Sequence, residues 1–261
     1  MRQTAWGKAN PHRLPREEDV TVVYWADLFR RRREETGAPK RIALRDDLLS
    51  AYYALLRGTV RAADALALWD EWGEPVGPIA LLVNRMVRES ALYMQNGPVT
   101  NPNPTVPEGA FFQVQARFKA ALASDTRIVI GHSLGSTIAY EGLCLHPHRV
   151  DTFITVGSPM ATPQLIREPM LKRLGQFLNR SGDPSAPWPG VRRWSNFFAS
   201  ADVWSVPIKR LAPIFHSDIV DVEVRHGDPH HFVETHKLAS YLVHAELRDE
   251  IAGALERSWG S

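Results

Sequence analysis

Gly131-His132-Ser133-Leu134-Gly135 constrains this chain more than any other stretch. It follows the apolar run Arg127-Ile128-Val129-Ile130. It precedes Ser136-Thr137-Ile138-Ala139-Tyr140-Glu141-Gly142-Leu143, whose apolar residues recur at helical spacing. The G-x-S-x-G pattern therefore falls where a buried strand turns into a helix, the one context in which it carries chemical meaning. A sharp turn there lifts the Ser133 hydroxyl clear of the sheet. It also aims the N-terminal dipole of the following helix at any anion forming beside it. Strand and helix must then run so close that a side chain at 131 or 135 would strike neighbouring backbone, and glycine has none.

The pattern along the rest of the chain sets the expected order of elements. Asp19 to Trp25 reads as a β-branched, aromatic strand, followed by a helix over 27–35. Residues 42–72 are Ala/Leu-rich with helical spacing, with Gly58 as a break, and 74–77 form a turn. A helix is expected over 79–93, a loop over the Asn- and Pro-rich 96–107, and a helix over 108–122. Further strands are expected over 150–156, 193–199 and 220–225, and an amphipathic helix over 236–256. Strands alternating with helices imply the α/β class: a mostly parallel central sheet with helices on both faces. Working groups in such a sheet gather beyond the carboxyl ends of the strands.

Composition narrows the function classes. The 261 residues are 44% hydrophobic and 23% charged, enough for a sizeable core. A net charge of +2 argues against a nucleic-acid partner. The basic run Arg30 to Arg33 is followed by Glu34-Glu35 and reads as a solvated helix face. The single cysteine, Cys144, has no internal disulfide partner and is expected to be buried as a small hydrophobe. Met1 to Gly7 shows no apolar signal region, and no uncharged apolar run approaches membrane-spanning length. The expectation is a soluble cytoplasmic protein.

Serine is a weak nucleophile at neutral pH and needs a base, which in turn needs an acid to fix its tautomer. Asp202, just past the 193–199 strand, is the candidate acid. Asp183 lies in a Pro/Gly-rich loop, and Asp218 and Asp221 lie at the start of the last strand, the wrong end. The base is sought among His226, His230, His231 and His236, which all follow Val224. His236 is favoured over His230 and His231 because a helix start fixes a ring better than a loop does. His226, Asp228, His230 and His231 do not have metal-ligand spacing on a regular element, so neither a metal nor an organic cofactor is expected. His132 is expected to pack near Ser133 without transferring protons.

The segment from Gly131 to Glu141 resembles the elbow of the α/β-hydrolase superfamily of lipases, esterases and thioesterases. Gly157-Ser158-Pro159, Trp194-Ser195-Asn196 running to Asp202-Val203, and His236 followed by Tyr241-Leu242 resemble its lipase-like and serine-peptidase bacterial branch. The resemblance covers residues 20–257 and implies one domain over 1–261. It implies Ser133 as nucleophile, Asp202 as acid and His236 as base, with the Leu134 N–H as one oxyanion donor. It departs in one respect: no His-Gly pair, the usual source of the second donor, occurs before residue 131. Either the chain starts too late, or the 20–25 strand has moved into the gap so that Trp25 or Ala26 donates, or catalysis is weak. Losing one such donor lowers turnover on the order of 10²–10³-fold.

Residues 159–192 have the position of a lid. Leu165, Ile166, Met170, Leu171, Leu174 and Phe177 fall at near-helical spacing there, and the alternative is a helix packed on the domain. Trp188, Phe198 and Trp204 are candidate pocket-lining residues for an acyl or other hydrophobic small-molecule substrate. The expected function is a serine hydrolase cleaving a carboxylic ester, thioester or amide. The rival is a non-catalytic protein of the same fold that binds a ligand or partner.

Overall fold

The apolar runs in the second half of the chain form the main sheet. The computed structural model describes residues 17–29, 42–43, 75–76, 78–100, 102–180, 185–200, 202, 209–225 and 235–259. A minor parallel pair joins β1 (Ile42–Ala43) to β2 (Pro75–Val76). The main sheet is four parallel strands in the order β3 (Ile128–His132), β4 (Thr152–Val156), β5 (Arg193–Ala199), β6 (Val220–Val224). Its register sets Gly131 beside Thr155, Thr155 beside Asn196 and Asn196 beside Asp221.

β4 (TFITV) is buried along its whole length, as a strand covered on both faces must be. The pleat sends Phe153 into one core and Ile154 and Val156 into another. The first core is closed by α1 (Pro78–Met94), α2 (Ala110–Ala121), α3 (Leu134–Leu145) and α4 (Glu168–Phe177). The second is closed by α5 (Leu238–Leu242) and α6 (Ala245–Trp259), through Tyr241, Leu247 and Ile251. The expected α/β class, with a parallel sheet and helices on both faces, is what forms.

The structure departs from expectation in four places. Val20 to Trp25 pairs with no strand among the described residues, and Val22 is 79% exposed. β-branched alternation supplies propensity, but a strand also needs a partner edge. Here the chain instead turns through a 3₁₀ segment at Ala26–Phe29 that buries Leu28 and Phe29. Arg117 fixes this turn by donating to the Tyr24 carbonyl at 2.8 Å and to both Asp27 carboxylate oxygens at 2.6 and 3.0 Å. Second, Ile42–Ala43 and Pro75–Val76 are strand residues where a helix and a turn were expected; the remainder of 42–72 lies outside the described residues, as does 30–35. Third, the final helix is broken at Val243 and His244 into α5 and α6.

The fourth departure concerns the expected lid. Pro163–Arg167 forms a short π-helical turn that leads into α4. Leu165, Ile166, Met170 and Leu174 all lie in the first core, so the apolar stripe faces the domain interior. Arg173 anchors α4. It donates to both Glu141 carboxylate oxygens at 2.9 and 2.8 Å and to the Tyr93 and Met94 carbonyls, and it lies 4.1 Å above the Phe111 ring. Glu141 is fully buried; burial pushes its carboxyl up while Arg173 opposes the rise. Removing one member of such a pair leaves a charge stranded at a cost of about 3–5 kcal/mol. Glu141→Ala is therefore expected to lower the urea midpoint by that free energy at an unchanged slope, measured by equilibrium unfolding.

Candidate active site

The elbow is built where β3 ends at His132 and α3 begins at Leu134. Ser133 between them has φ 52° and ψ −131°, a conformation that strains a non-glycine residue by about 1–3 kcal/mol. Three hydrogen bonds hold it there. The Ser133 N–H donates to Val156 O at 3.0 Å, the Ser136 N–H donates to Ser133 O at 2.9 Å, and Ser136 Oγ donates to Gly131 O at 2.8 Å. A Cβ on Gly131 would lie 2.6 Å from Ser136 Cα, and one on Gly135 would lie 2.9 Å from the Trp25 ring. The Gly131 contact is with backbone, which cannot move aside. The Leu134 and Gly135 amides at the start of α3 have no acceptor inside their own helix.

Asp202 and His236 come together beyond the carboxyl ends of β5 and β6. The Asp202 N–H donates to Ala199 O at 3.1 Å, which turns the chain directly after β5 and seats a fully buried carboxylate. His236 Nδ1 lies 2.9 Å from Asp202 Oδ2 and 3.1 Å from Oδ1. A carboxylate only accepts, so Nδ1 is the protonated nitrogen and Nε2 the basic one. Gly157, at φ 54°, makes room for this pair: a Cβ there would lie 2.9 Å from Asp202 Oδ2 and 3.4 Å from His236 Nδ1.

His132 ties His236 to the strand that precedes Ser133. Its Nε2–H donates to the His236 backbone carbonyl at 2.7 Å, and the two rings lie 4.8 Å apart at 37°. Burial, and then the neighbouring His236, push the His132 imidazole down to about 4, so at neutral pH it is an uncharged packing group. The residue beside Ser133 in sequence is thereby the residue beside His236 in space.

Two further groups at the carboxylate escaped sequence reasoning. Tyr241 Oη donates to Asp202 Oδ2 at 2.6 Å. In the sequence Tyr241 figured only in the resemblance, as the residue before Leu242 that follows His236. Lys209 faces Asp202 electrostatically and donates to the Ser200 carbonyl; burial holds its ammonium below the usual lysine range. No pattern in the chain links 209 to 202.

Of the other expected site residues, Phe198 is buried near the end of β5. The Trp25 ring rests on Gly135, and its carbonyl accepts the Leu28 N–H at 2.9 Å. Trp188 is a correction. It lines a hollow with Asp151, Thr152, Arg193 and Val220, at the starts of β4, β5 and β6 and thus at the opposite end of the sheet from Ser133. Its indole N–H donates to Val191 O at 2.7 Å and its ring packs on Trp194 and His216, so it is a half-buried aromatic set against the first core. Asp221 is structural: its carboxylate accepts from Asn196 Nδ2 and from the Leu211 and Ala212 amides. Trp204, Asp183, His226, Asp228, His230 and His231 lie outside the described residues. Among the described residues no group of three or more His, Cys, Asp or Glu could hold a metal, and no helix is long and apolar enough to cross a membrane. Cys144 is partly buried, and burial pushes its thiol up to about 12, away from thiolate chemistry.

Residues 101–226 match the family model for the alpha/beta hydrolase fold. Over that span the chain has the α/β-hydrolase fold. The matched span includes the elbow, β4, β5 with Asp202, and β6; His236 lies beyond it. No curated protein and no solved structure matches the chain.

The depressed His132 imidazole makes the stability of this protein depend on pH. Unfolded, the ring takes up a proton near its ordinary value of 6.5; folded, it does so only near 4. The unfolded state therefore binds more protons between these values, and stability falls as pH is lowered from 6.5 to about 4, by up to about 3 kcal/mol. In His132→Phe the corresponding part of the slope should vanish, measured by urea unfolding at a series of pH values.

Proposed function

We propose that this α/β-hydrolase is a serine hydrolase that cleaves a carboxylic ester, thioester or amide of a small acyl substrate through an acyl-enzyme. One observation carries the reading. His236 has its Nδ1–H held by the buried Asp202 carboxylate, while its ring packs on His132, the immediate neighbour of the strained Ser133. In this reading His236 Nε2 takes the Ser133 proton as Oγ attacks the substrate carbonyl carbon. The carbonyl π electrons move to oxygen, giving a tetrahedral oxyanion. The same proton passes to the leaving group as its bond breaks, which leaves the acyl group on Ser133 Oγ. Water then attacks the acyl carbon, His236 again moving the proton, and releases a carboxylic acid and free Ser133.

The oxyanion is stabilised by the Leu134 N–H at the start of α3, aided by the helix dipole. For the second donor the reading takes the backbone of Trp25 or Ala26, supported by the seating of the Trp25 ring on Gly135. Among the described residues β3 pairs only with β4. That observation favours the rival reading, a ligand- or partner-binding member of the fold without turnover.

A fluorophosphonate probe separates the two. The expected outcome is covalent labelling of Ser133, located by mass spectrometry and abolished in Ser133→Ala. Folded wild-type protein that takes no label would establish the binding reading instead. Asp202→Asn should keep the fold and lower ester turnover on the order of 10⁴-fold, because the wrong His236 tautomer is then favoured. Turnover that a chelator abolishes and Ser133→Ala retains would sink the serine mechanism.

A further inference from the structure

The Asp202 carboxylate is shared. Its Oδ2 accepts from His236 Nδ1 at 2.9 Å and from the Tyr241 hydroxyl at 2.6 Å, the shorter of the two. Asp202 and Tyr241 are both fully buried, so water does not compete for either group. The direction of the phenol proton is also fixed. The Ala199 N–H, the last amide of β5, donates to Tyr241 Oη at 3.2 Å, which turns the single O–H toward Asp202. Burial and then the Asp202 charge raise the phenol well above its ordinary range, so it remains a donor. Gly157 lies against the same oxygen: a Cβ there would sit 2.9 Å from Asp202 Oδ2.

We infer that Tyr241 is a positioning residue for the reaction of Ser133: its hydroxyl fixes Asp202 and takes up part of the carboxylate's charge, and so sets how strongly Asp202 holds the His236 Nδ1 proton. The inference rests on the serine-hydrolase reading. A carboxylate whose charge is spent on two donors pulls less on a proton arriving at His236. Among the described residues, the groups that face this pair include Tyr241 from α5, Lys209 after β5, with Glu223 of β6 acting on it, and His132 from β3 against the His236 ring. His132 is uncharged above about pH 4. Tyr241 is thus the neutral donor that tempers the carboxylate. A phenylalanine would fill the same space and lose only the hydrogen bond.

The test follows the second-order rate of Ser133 labelling by a fluorophosphonate across pH. In Tyr241→Phe the acid limb is expected to move to higher pH by about half a unit or more, with the plateau rate within about threefold of wild type. A ring-fluorinated tyrosine at 241 donates more strongly and should move the limb the opposite way. This second variant keeps the test available if Tyr241→Phe does not fold. Superimposed acid limbs in a wild type that labels would overturn the inference and leave the serine-hydrolase reading standing, even if melting temperature or plateau rate fell. Absence of label on wild-type Ser133 would overturn both.

Discussion

The close approach of β3 to α3 is the constraint from which the site follows. Gly131 and Ser136 backbones come so near that no side chain fits at 131, and Ser133 is driven into left-handed space between them. Strain of about 1–3 kcal/mol persists only where surroundings over-determine it. Here the determination is visible on both sides. Val156 O and Gly131 O fix the turn from the sheet, while Leu134 and Ile138 are driven into the first core on the next turn of helix. Burial of such side chains contributes about 1.5–3 kcal/mol each, enough to offset the strain. The helix cannot relax away without giving up that packing, so the serine stays raised.

A second consequence concerns how loops are held over a parallel sheet. The strands end in a row, but Asp202 and His236 lie outside them. Each is tied back by polar contacts to neighbouring elements. Asp202 is gripped by the Ala199 carbonyl behind it and by Tyr241 from α5, and the His236 backbone by His132 from β3. The side chains therefore converge because β3, β5 and α5 share one core edge. Away from the site the same logic recurs in Arg173, which binds α4 to α3 and α1 through one guanidinium.

Much of this was legible beforehand, and for identifiable reasons. β3 to β5 carry apolar runs and β6 alternates valine with acidic residues, and their bounds stand close to those expected. The Gly131 to Gly135 pattern has a steric cause acting over a few residues, so it could be read locally. The Asp202–His236 pairing was reachable because a parallel sheet puts the ends of successive strands together. The failures share a different cause. Val20 to Trp25 has strand propensity, yet a strand exists only with a partner edge. Trp188 looked like pocket lining because aromatic character says nothing about which end of the sheet it serves. The stripe around Leu165 and Met170 had the spacing of a buried face, but spacing cannot say whether that face meets a substrate or a core.

The sequence by itself determined the layered α/β architecture, the elbow at Ser133 and the chain order of the three chemical groups, because these arise from periodicity, turn sterics and connectivity, which act between near neighbours. Tertiary structure alone decided that the Tyr241 hydroxyl would hold the Asp202 carboxylate and that the His132 ring would hold the His236 carbonyl. Those contacts join residues far apart in the chain. Their partners are chosen by how two faces of a sheet fill with side chains, and no local pattern carries that information.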